Sequence, residues 1–149
     1  IILKEMTKIG LLNGPNLDRL GKREPEIYGT ETLEGIEKHL LSAANELACE
    51  LFTYQSNHEG NLIDKIHEWS DAGISGLIIN PGGFTHTSVA LRDAIVASNL
   101  STVEVHLSNI HTREDFRHKS LISGVVKAVI AGTGAKGYVY ALRYLTETI

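Results

Sequence analysis

Gly76-Leu77-Ile78-Ile79-Asn80-Pro81-Gly82-Gly83 is the stretch that decides the fold class. Its unbroken apolar run offers no polar face to water, so residues 76–80 read as a strand buried on both sides, ended by Pro81-Gly82-Gly83. Strands of that kind belong to parallel sheets with helices on both faces. Upstream, Lys8-Ile9-Gly10-Leu11-Leu12-Asn13 shows the same pattern and stops at Gly14-Pro15, which makes it a first strand. Between the two runs, Leu33, Ile36, Leu40, Leu41, Ala44, Leu47 and Ala48 recur at helical offsets, with Glu34, Glu37 and Lys38 opposite. Residues 50–56 are rich in strand formers, and Asn57-His58-Glu59-Gly60 leads into a second helical stripe of Leu62, Ile63, Ile66 and Trp69 that stops near Gly73.

Downstream the alternation continues. Thr85 or Thr87 is placed to cap a helix through Val89, Ala90, Ala94, Ile95 and Ala97. Residues 102–107 read as a fourth strand, 112–116 as a short polar helix, 125–131 as a fifth strand and 136–146 as a closing helix. Five strands alternating with helices predict a three-layer, mainly parallel α/β sandwich. At 149 residues the chain has the length of one domain, spanning 1–149, with residues 1–7 expected as a flexible N-terminal extension. Apolar residues at 42% and charged residues at 21% exclude disorder, collagen-like repeats and coiled coil.

A formal net charge of -4 supplies no global positive field to draw the protein onto nucleic acid or an anionic membrane. Cys49 is the single cysteine and forms no intrachain disulfide, and the longest apolar runs fall far short of the roughly 18 residues of a membrane span. The opening Ile1-Ile2-Leu3-Lys4-Glu5-Met6 lacks the marks of a signal peptide, so a cytoplasmic location is expected. His86, His106, His111 and His118 show neither H-x-x-x-H nor H-E-x-x-H spacing, and no metal is expected.

In an open parallel sheet, ligands bind outside the carboxyl ends of the strands, near the switch in strand order. Four such ends are polar here: Asn13-Gly14-Pro15-Asn16, Gln55-Ser56-Asn57-His58-Glu59, Asn80-Pro81-Gly82-Gly83 and Glu104-Val105-His106-Leu107-Ser108. Four polar ends on one sheet edge favour a small-molecule site over solvated loops. Residues 17–29 exceed the usual length of a βα connection and carry Arg19, Lys22, Arg23 and Tyr28, as either a lid or a solvated loop anchored by Tyr28. Glu104 and His106 alternate on a strand and share a face, which makes His106 a general-acid candidate or a satisfied core histidine. Arg113 and Arg117, four apart, would share a helical face suited to an anion or polyol, or form a solvated charged face. Gly14, Gly21 and Gly29 match no phosphate-binding loop, and Gly132-Thr133-Gly134 reads as a helix-entry turn.

Taken together, Gly14-Pro15-Asn16-Leu17, Gly21-Lys22-Arg23-Glu24-Pro25-Glu26-Ile27-Tyr28-Gly29, Gln55-Ser56-Asn57-His58-Glu59-Gly60, Asn80-Pro81-Gly82-Gly83 and Glu104-Val105-His106-Leu107-Ser108-Asn109 occur in order along the chain. With these motifs, over residues 8–144, the chain resembles the type II 3-dehydroquinate dehydratases. The resemblance implies a flavodoxin-like sheet of order 2-1-3-4-5. It implies a hydro-lyase that converts 3-dehydroquinate to 3-dehydroshikimate by anti elimination through an enolate, without metal, cofactor or Schiff base. The reaction belongs to the shikimate pathway of aromatic amino acid biosynthesis, or to quinate breakdown. It also implies a homododecamer, a tetramer of trimers, in which Asp93 reaches a neighbouring subunit's site.

By the same resemblance, Tyr28 is the base, activated by Arg23, and Asn16 holds the water that stabilises the enolate oxygen. His106, oriented by Glu104, protonates the departing hydroxyl. Asn80, His86, Arg117 and the backbone amides of Leu107 and Ser108 grip the carboxylate and ring hydroxyls, with Arg113 a second basic residue near the lid. The physical scale is right, because a free phenol is about one part in a thousand ionised at pH 7 and a neighbouring guanidinium is worth about 1–3 pKa units. Many members carry Asn-Leu-Asn-Leu-Leu-Gly where this chain has Asn16-Leu17-Asp18-Arg19-Leu20-Gly21, which changes the charge of the lid and leaves the catalytic positions intact. A non-catalytic flavodoxin-like domain for small-molecule binding or signalling is the alternative, but a receiver would want carboxylates where Asn13 and Asn80 stand. A hydrolase built on Ser108 and His106 lacks the G-x-S-x-G elbow.

Overall fold

The computed structural model describes residues 6–28 and 30–149. Its strands are β1 (Thr7–Asn13), β2 (Cys49–Gln55), β3 (Gly76–Asn80), β4 (Ser101–His106) and β5 (Ala128–Ala131). They form one parallel sheet in the order β2-β1-β3-β4-β5, with α1 (Pro25–Tyr28), α2 (Leu33–Glu46), α3 (Glu59–Asp71), α4 (Val89–Ser98) and α5 (Lys136–Thr148) between or after them.

Strand alternation sorts the apolar side chains into two cores. Ile9, Leu11, Ile78, Val103 and Val105 face α2 and α5, where Ile36, Leu40, Ala44, Tyr138, Ala141, Leu142 and Leu145 are buried. Leu12, Leu77 and Ile79 face α3 and α4, against Leu62, Ile66, Trp69, Leu91, Ala94 and Ile95. The continuous apolar runs of β1 and β3 therefore serve both layers at once, as expected of strands covered on both faces. Each fully buried large aliphatic side chain contributes about 1.5–3 kcal/mol.

Several boundaries differ from expectation, each for a local reason. The first strand starts at Thr7, paired with Cys49, inside the segment expected to be an extension, while residues 1–5 lie outside the described residues. Neither Thr85 nor Thr87 caps α4, because a 3-10 turn over Gly82–His86 intervenes and leaves Thr85 buried; Ser88 is the cap, its hydroxyl accepting Leu91 N–H at 2.9 Å. The expected helix at 112–116 is instead two 3-10 turns, Ile110–Thr112 and Asp115–Arg117, with Arg113 extended between them. The segment has no apolar stripe to carry a longer helix, and the Asn109 side chain closes the first turn through His111 N–H. Val125 belongs to a further turn of this kind, Ser123–Val125, so β5 begins only at Ala128.

The switch in strand order lies between β1 and β3. Asn13 is in register with Gln55 on one side and Asn80 on the other, so three polar side chains end three adjacent strands at one level. There the loops after β1 and β3 meet backbone to backbone. Gly14 N–H donates to Asn80 C=O at 2.8 Å, and a Cβ on Gly14 would lie 2.4 Å from the Pro81 carbonyl oxygen. Gly14→Ala should lower stability by about 1–3 kcal/mol, the scale of overpacking. Urea unfolding should show a lower midpoint at unchanged slope, and an unchanged midpoint would mean that the loops separate freely.

Candidate active site

At the carboxyl ends of β1, β3 and β4 lies a cavity of about 170 Å3. Asn16, Arg23 and Tyr28 line it from the segment after β1, and Asn80 and His86 from β3 and the turn beyond. His106, Leu107, Ser108, Arg113 and Arg117 line it from the end of β4 and the following turns. Two expected site residues lie outside the lining. Glu104 is fully buried beside His106, and Asp93 is exposed on α4.

The His106 side is built from inside the fold. Its Nε2 lies 2.5 Å from Glu104 Oε2, which holds the ring in one orientation and leaves Nδ1 as the other protonatable nitrogen. The Glu104 carboxylate also accepts from the Ser120 hydroxyl at 3.0 Å and the Ser123 hydroxyl at 2.8 Å. Ser120 Oγ accepts the N–H groups of Ile122 and Ser123, so its own proton is turned toward Glu104. A buried carboxylate surrounded by donors is stable only in such a setting.

On the facing segment, the Tyr28 ring is half-buried and lies against two guanidiniums, with Arg23 Cζ 4.7 Å and Arg113 Cζ 5.0 Å from its centroid. Leu17 and Leu20, 4% and 3% exposed, sink the start of this segment into the core while Arg19, Lys22 and Glu26 stay exposed. It is therefore neither a free lid nor a wholly solvated loop. Arg113 Nη1 donates to Ser108 Oγ at 3.2 Å, and its buried Nε has no hydrogen-bond partner among the described residues. Arg113 and Arg117 reach the cavity from different turns rather than from one helical face, and Glu114 grips Arg117 Nε with both carboxylate oxygens at 3.1 and 3.2 Å. A cavity with three guanidiniums suits an anionic ligand.

Asn80 is fixed on both sides of its carboxamide. Its Oδ1 accepts Gly82 N–H at 3.2 Å and its Nδ2 donates to the Tyr138 hydroxyl at 3.1 Å, which leaves one N–H for a ligand. Tyr138 in turn donates to Asn13 Oδ1 at 2.6 Å. Burial, opposed by the Asn80 hydrogen bond, keeps the Tyr138 phenol protonated well above the usual range, so it remains a donor. His86 Nδ1 lies 2.8 Å from Lys119 C=O, and because a carbonyl only accepts, Nδ1 carries the proton and Nε2 is an acceptor. Its pKa is lowered first by burial and then by the charges of His106 and Arg117, against the Lys119 hydrogen bond and Glu104. A neutral ring presenting an acceptor suits a hydroxyl and not a carboxylate.

Four residues that matter here carried no expectation. Tyr138, Ser120, Ser123 and Glu114 act as partners of the lining residues, and only Tyr138 left a trace in the sequence, a phenol inside the apolar stripe of α5. The described residues contain no group of three or more His, Cys, Asp or Glu side chains able to hold a metal ion. Among them, no helix is long and apolar enough to cross a membrane.

Comparison with known proteins agrees with this geometry over the whole sheet. A 3-dehydroquinate dehydratase of Halothermothrix orenii is 54% identical over 144 residues, 97% of either chain. The crystal structure of type II dehydroquinase from Propionibacterium acnes superposes with a TM-score of 0.91 at 41% identity, covering 97% of this chain and 99% of that one. The type II dehydroquinase of Butyrivibrio crossotus gives 0.92 at 45% identity, covering 94% and 97%. With residues 7–146 also matching the model of dehydroquinase class II, this flavodoxin-like chain belongs to that family.

Proposed function

We propose that the chain removes water from 3-dehydroquinate to give 3-dehydroshikimate, as a hydro-lyase of the shikimate pathway or of quinate breakdown. One observation carries this reading: a phenol set against two guanidiniums shares a single cavity with an imidazole backed by a buried carboxylate. A proton acceptor and a proton donor on one anion-binding cavity suit an elimination, whereas a domain that only binds or signals needs no such pair.

Tyr28, as the phenolate, takes the proton from the carbon beside the ketone. The electron pair of that C–H bond forms the enolate double bond, and the ketone oxygen becomes the oxyanion. Arg23 and Arg113 offset the negative charge of the phenolate, and Asn16 holds a water on the oxyanion, where fixed donors act most strongly. When the enolate collapses, the C–O bond on the adjacent carbon breaks and His106 Nδ1 protonates the departing hydroxyl. Glu104 balances the imidazolium. The free N–H of Asn80 and the amides of Leu107 and Ser108 bind the carboxylate, with Arg117 adding charge. His86 Nε2 accepts from a ring hydroxyl. Neither a metal nor a cofactor has a part in this sequence.

The assembly we propose is a cytoplasmic homododecamer, a tetramer of trimers, in which Asp93, exposed on α4, reaches the site of a neighbouring subunit. Light scattering on active enzyme should report that mass, and an active monomer would exclude the role of Asp93.

The reaction itself is tested by the ultraviolet absorbance of the conjugated enone, which should rise when 3-dehydroquinate is added. Tyr28→Phe should lower kcat by about 10²–10⁴-fold, the range for a general acid or base, with the unfolding midpoint retained. Residual activity near that of the parent would remove Tyr28 as the base. His86 must be neutral to accept, so acidification through its lowered pKa should raise KM, with the onset below the value of about 6.5 of a free imidazole. NMR titration should place the His86 midpoint under that value, and a midpoint above it would contradict the proposed hydroxyl contact.

A further inference from the structure

The segment Gln55-Ser56-Asn57-His58-Glu59-Gly60 ends β2 at the sheet edge that holds the site, yet none of its side chains lines the cavity. What it touches is the residue proposed to hold the enolate water. Asn16 adopts φ 69° and ψ -1°, a left-handed backbone that few side chains other than Asn or Asp tolerate. Its N–H donates to Asn57 Oδ1 at 3.0 Å, and its C=O accepts Arg19 N–H at 3.1 Å. Both backbone groups are thereby engaged, and the carboxamide of Asn16 makes no cap to the turn over Leu17–Arg19, which leaves it for the cavity.

Asn57 is itself held. Gln55 Nε2 donates to Asn57 Oδ1 at 3.2 Å and to Gly14 C=O at 3.1 Å, and Ser56 N–H donates to Asn13 C=O at 3.1 Å. The end of β2 therefore clamps the loop after β1 at Asn13, Gly14 and Asn16. The acceptor at Asn57 is what the left-handed turn of Asn16 requires, because relaxation of φ would swing the carboxamide off the cavity. Errors of about 1 Å in a group that positions a reacting atom cost on the order of 10²-fold in rate.

We infer that Asn57 is a positioning residue of the dehydratase, acting through Asn16 by fixing its left-handed backbone so that the carboxamide holds the enolate water. The inference rests on the dehydratase reading given above. It differs from a plain structural staple in what it predicts. The enolate exists only along the reaction path, so a misplaced Asn16 should lower kcat and leave KM nearly as it was.

The test is a double-mutant cycle of Asn57→Ala and Asn16→Ala, read by kcat, KM and urea midpoint. Asn57→Ala should lower kcat at least about tenfold, and no more than the ~10²–10³-fold cost of deleting an oxyanion donor outright. KM should stay within about threefold of the parent. Asn57→Asp, which keeps the Oδ1 acceptor, should restore most of kcat. In the Asn16→Ala background, Asn57→Ala should cause no further loss. A folded Asn57→Ala with parental kcat would overturn the inference, as would a full additional loss in the Asn16→Ala background. Should Asn57→Ala fail to fold, Gln55→Met, which removes the donor that orients Asn57, should give a smaller fall in kcat that also vanishes when Asn16 is Ala. A parental kcat in folded Gln55→Met, or a fall that survives the loss of Asn16, would equally overturn it. A wild type inactive on 3-dehydroquinate would reject the dehydratase reading and this role with it. A parent that is active while Asn57→Ala is unaffected would reject the role alone.

Discussion

The hydroxyl of Tyr138 holds the switch point of the sheet together. It is fully buried, donates to Asn13 at the end of β1 and accepts from Asn80 at the end of β3, two adjacent parallel strands from which the chain goes on to opposite edges of the sheet. Both asparagines are buried, so without that hydroxyl an acceptor and a donor would be stranded, at about 1–3 kcal/mol each. The bonds tie α5 to the two strands from which the ligand cavity opens. They also set the direction of the one Asn80 N–H left for a ligand, so the packing of the last helix reaches into the site through a single oxygen. Asn13 Nδ2 remains without a partner among the described residues, so the network is not fully satisfied.

The parts legible in the sequence are those whose cause is local. The run Gly76-Leu77-Ile78-Ile79-Asn80 could only be a strand covered on both faces, and β3 has those bounds. The helical stripes of α2, α3 and α5 were equally plain, because their apolar spacing is set by the cores they fill. Where a polar turn stands between two elements, the reading slipped. Thr85 and Thr87 are as good cap residues as Ser88, and nothing local says that the chain makes a 3-10 turn first. Arg113 and Arg117 had helical spacing without a helix, since no apolar stripe supports one there.

The site divides in the same way. Glu104 and His106 are two apart on a strand, so their contact was visible from alternation alone. The partners that complete the arrangement come from far along the chain: Tyr138 lies 125 residues from Asn13 and 58 from Asn80, and Ser123 lies 19 from Glu104. Side-chain hydrogen bonds of that reach have no period and no spacing rule. The physics of the residues reached as far as a polar strand-end pocket with basic side chains and His106 as a candidate acid, whereas the remaining chemical roles came only from the family resemblance.

Charge at the cavity is decoupled from charge on the chain. A protein with a net charge of -4 concentrates Arg23, Arg113 and Arg117 at one opening, and each has a carboxylate neighbour, Glu24 at 3.8 Å and Glu114 at 3.7 and 3.1 Å. Those partners are well exposed, so their pairing is screened and worth little, while the guanidinium side chains are more deeply covered. The cations therefore stand ready for a ligand that can meet them away from water. The helix α1 that carries Tyr28 has only four residues and cannot persist on its own, so its position is set by what lies around it. Leu17 and Leu20 anchor the segment in the core, and Arg23 and Arg113 rest on the phenol. Tyr28 and the charges beside it are thus placed by one act of packing, and an anionic ligand that draws on the arginines pulls on the same contacts that hold the tyrosine.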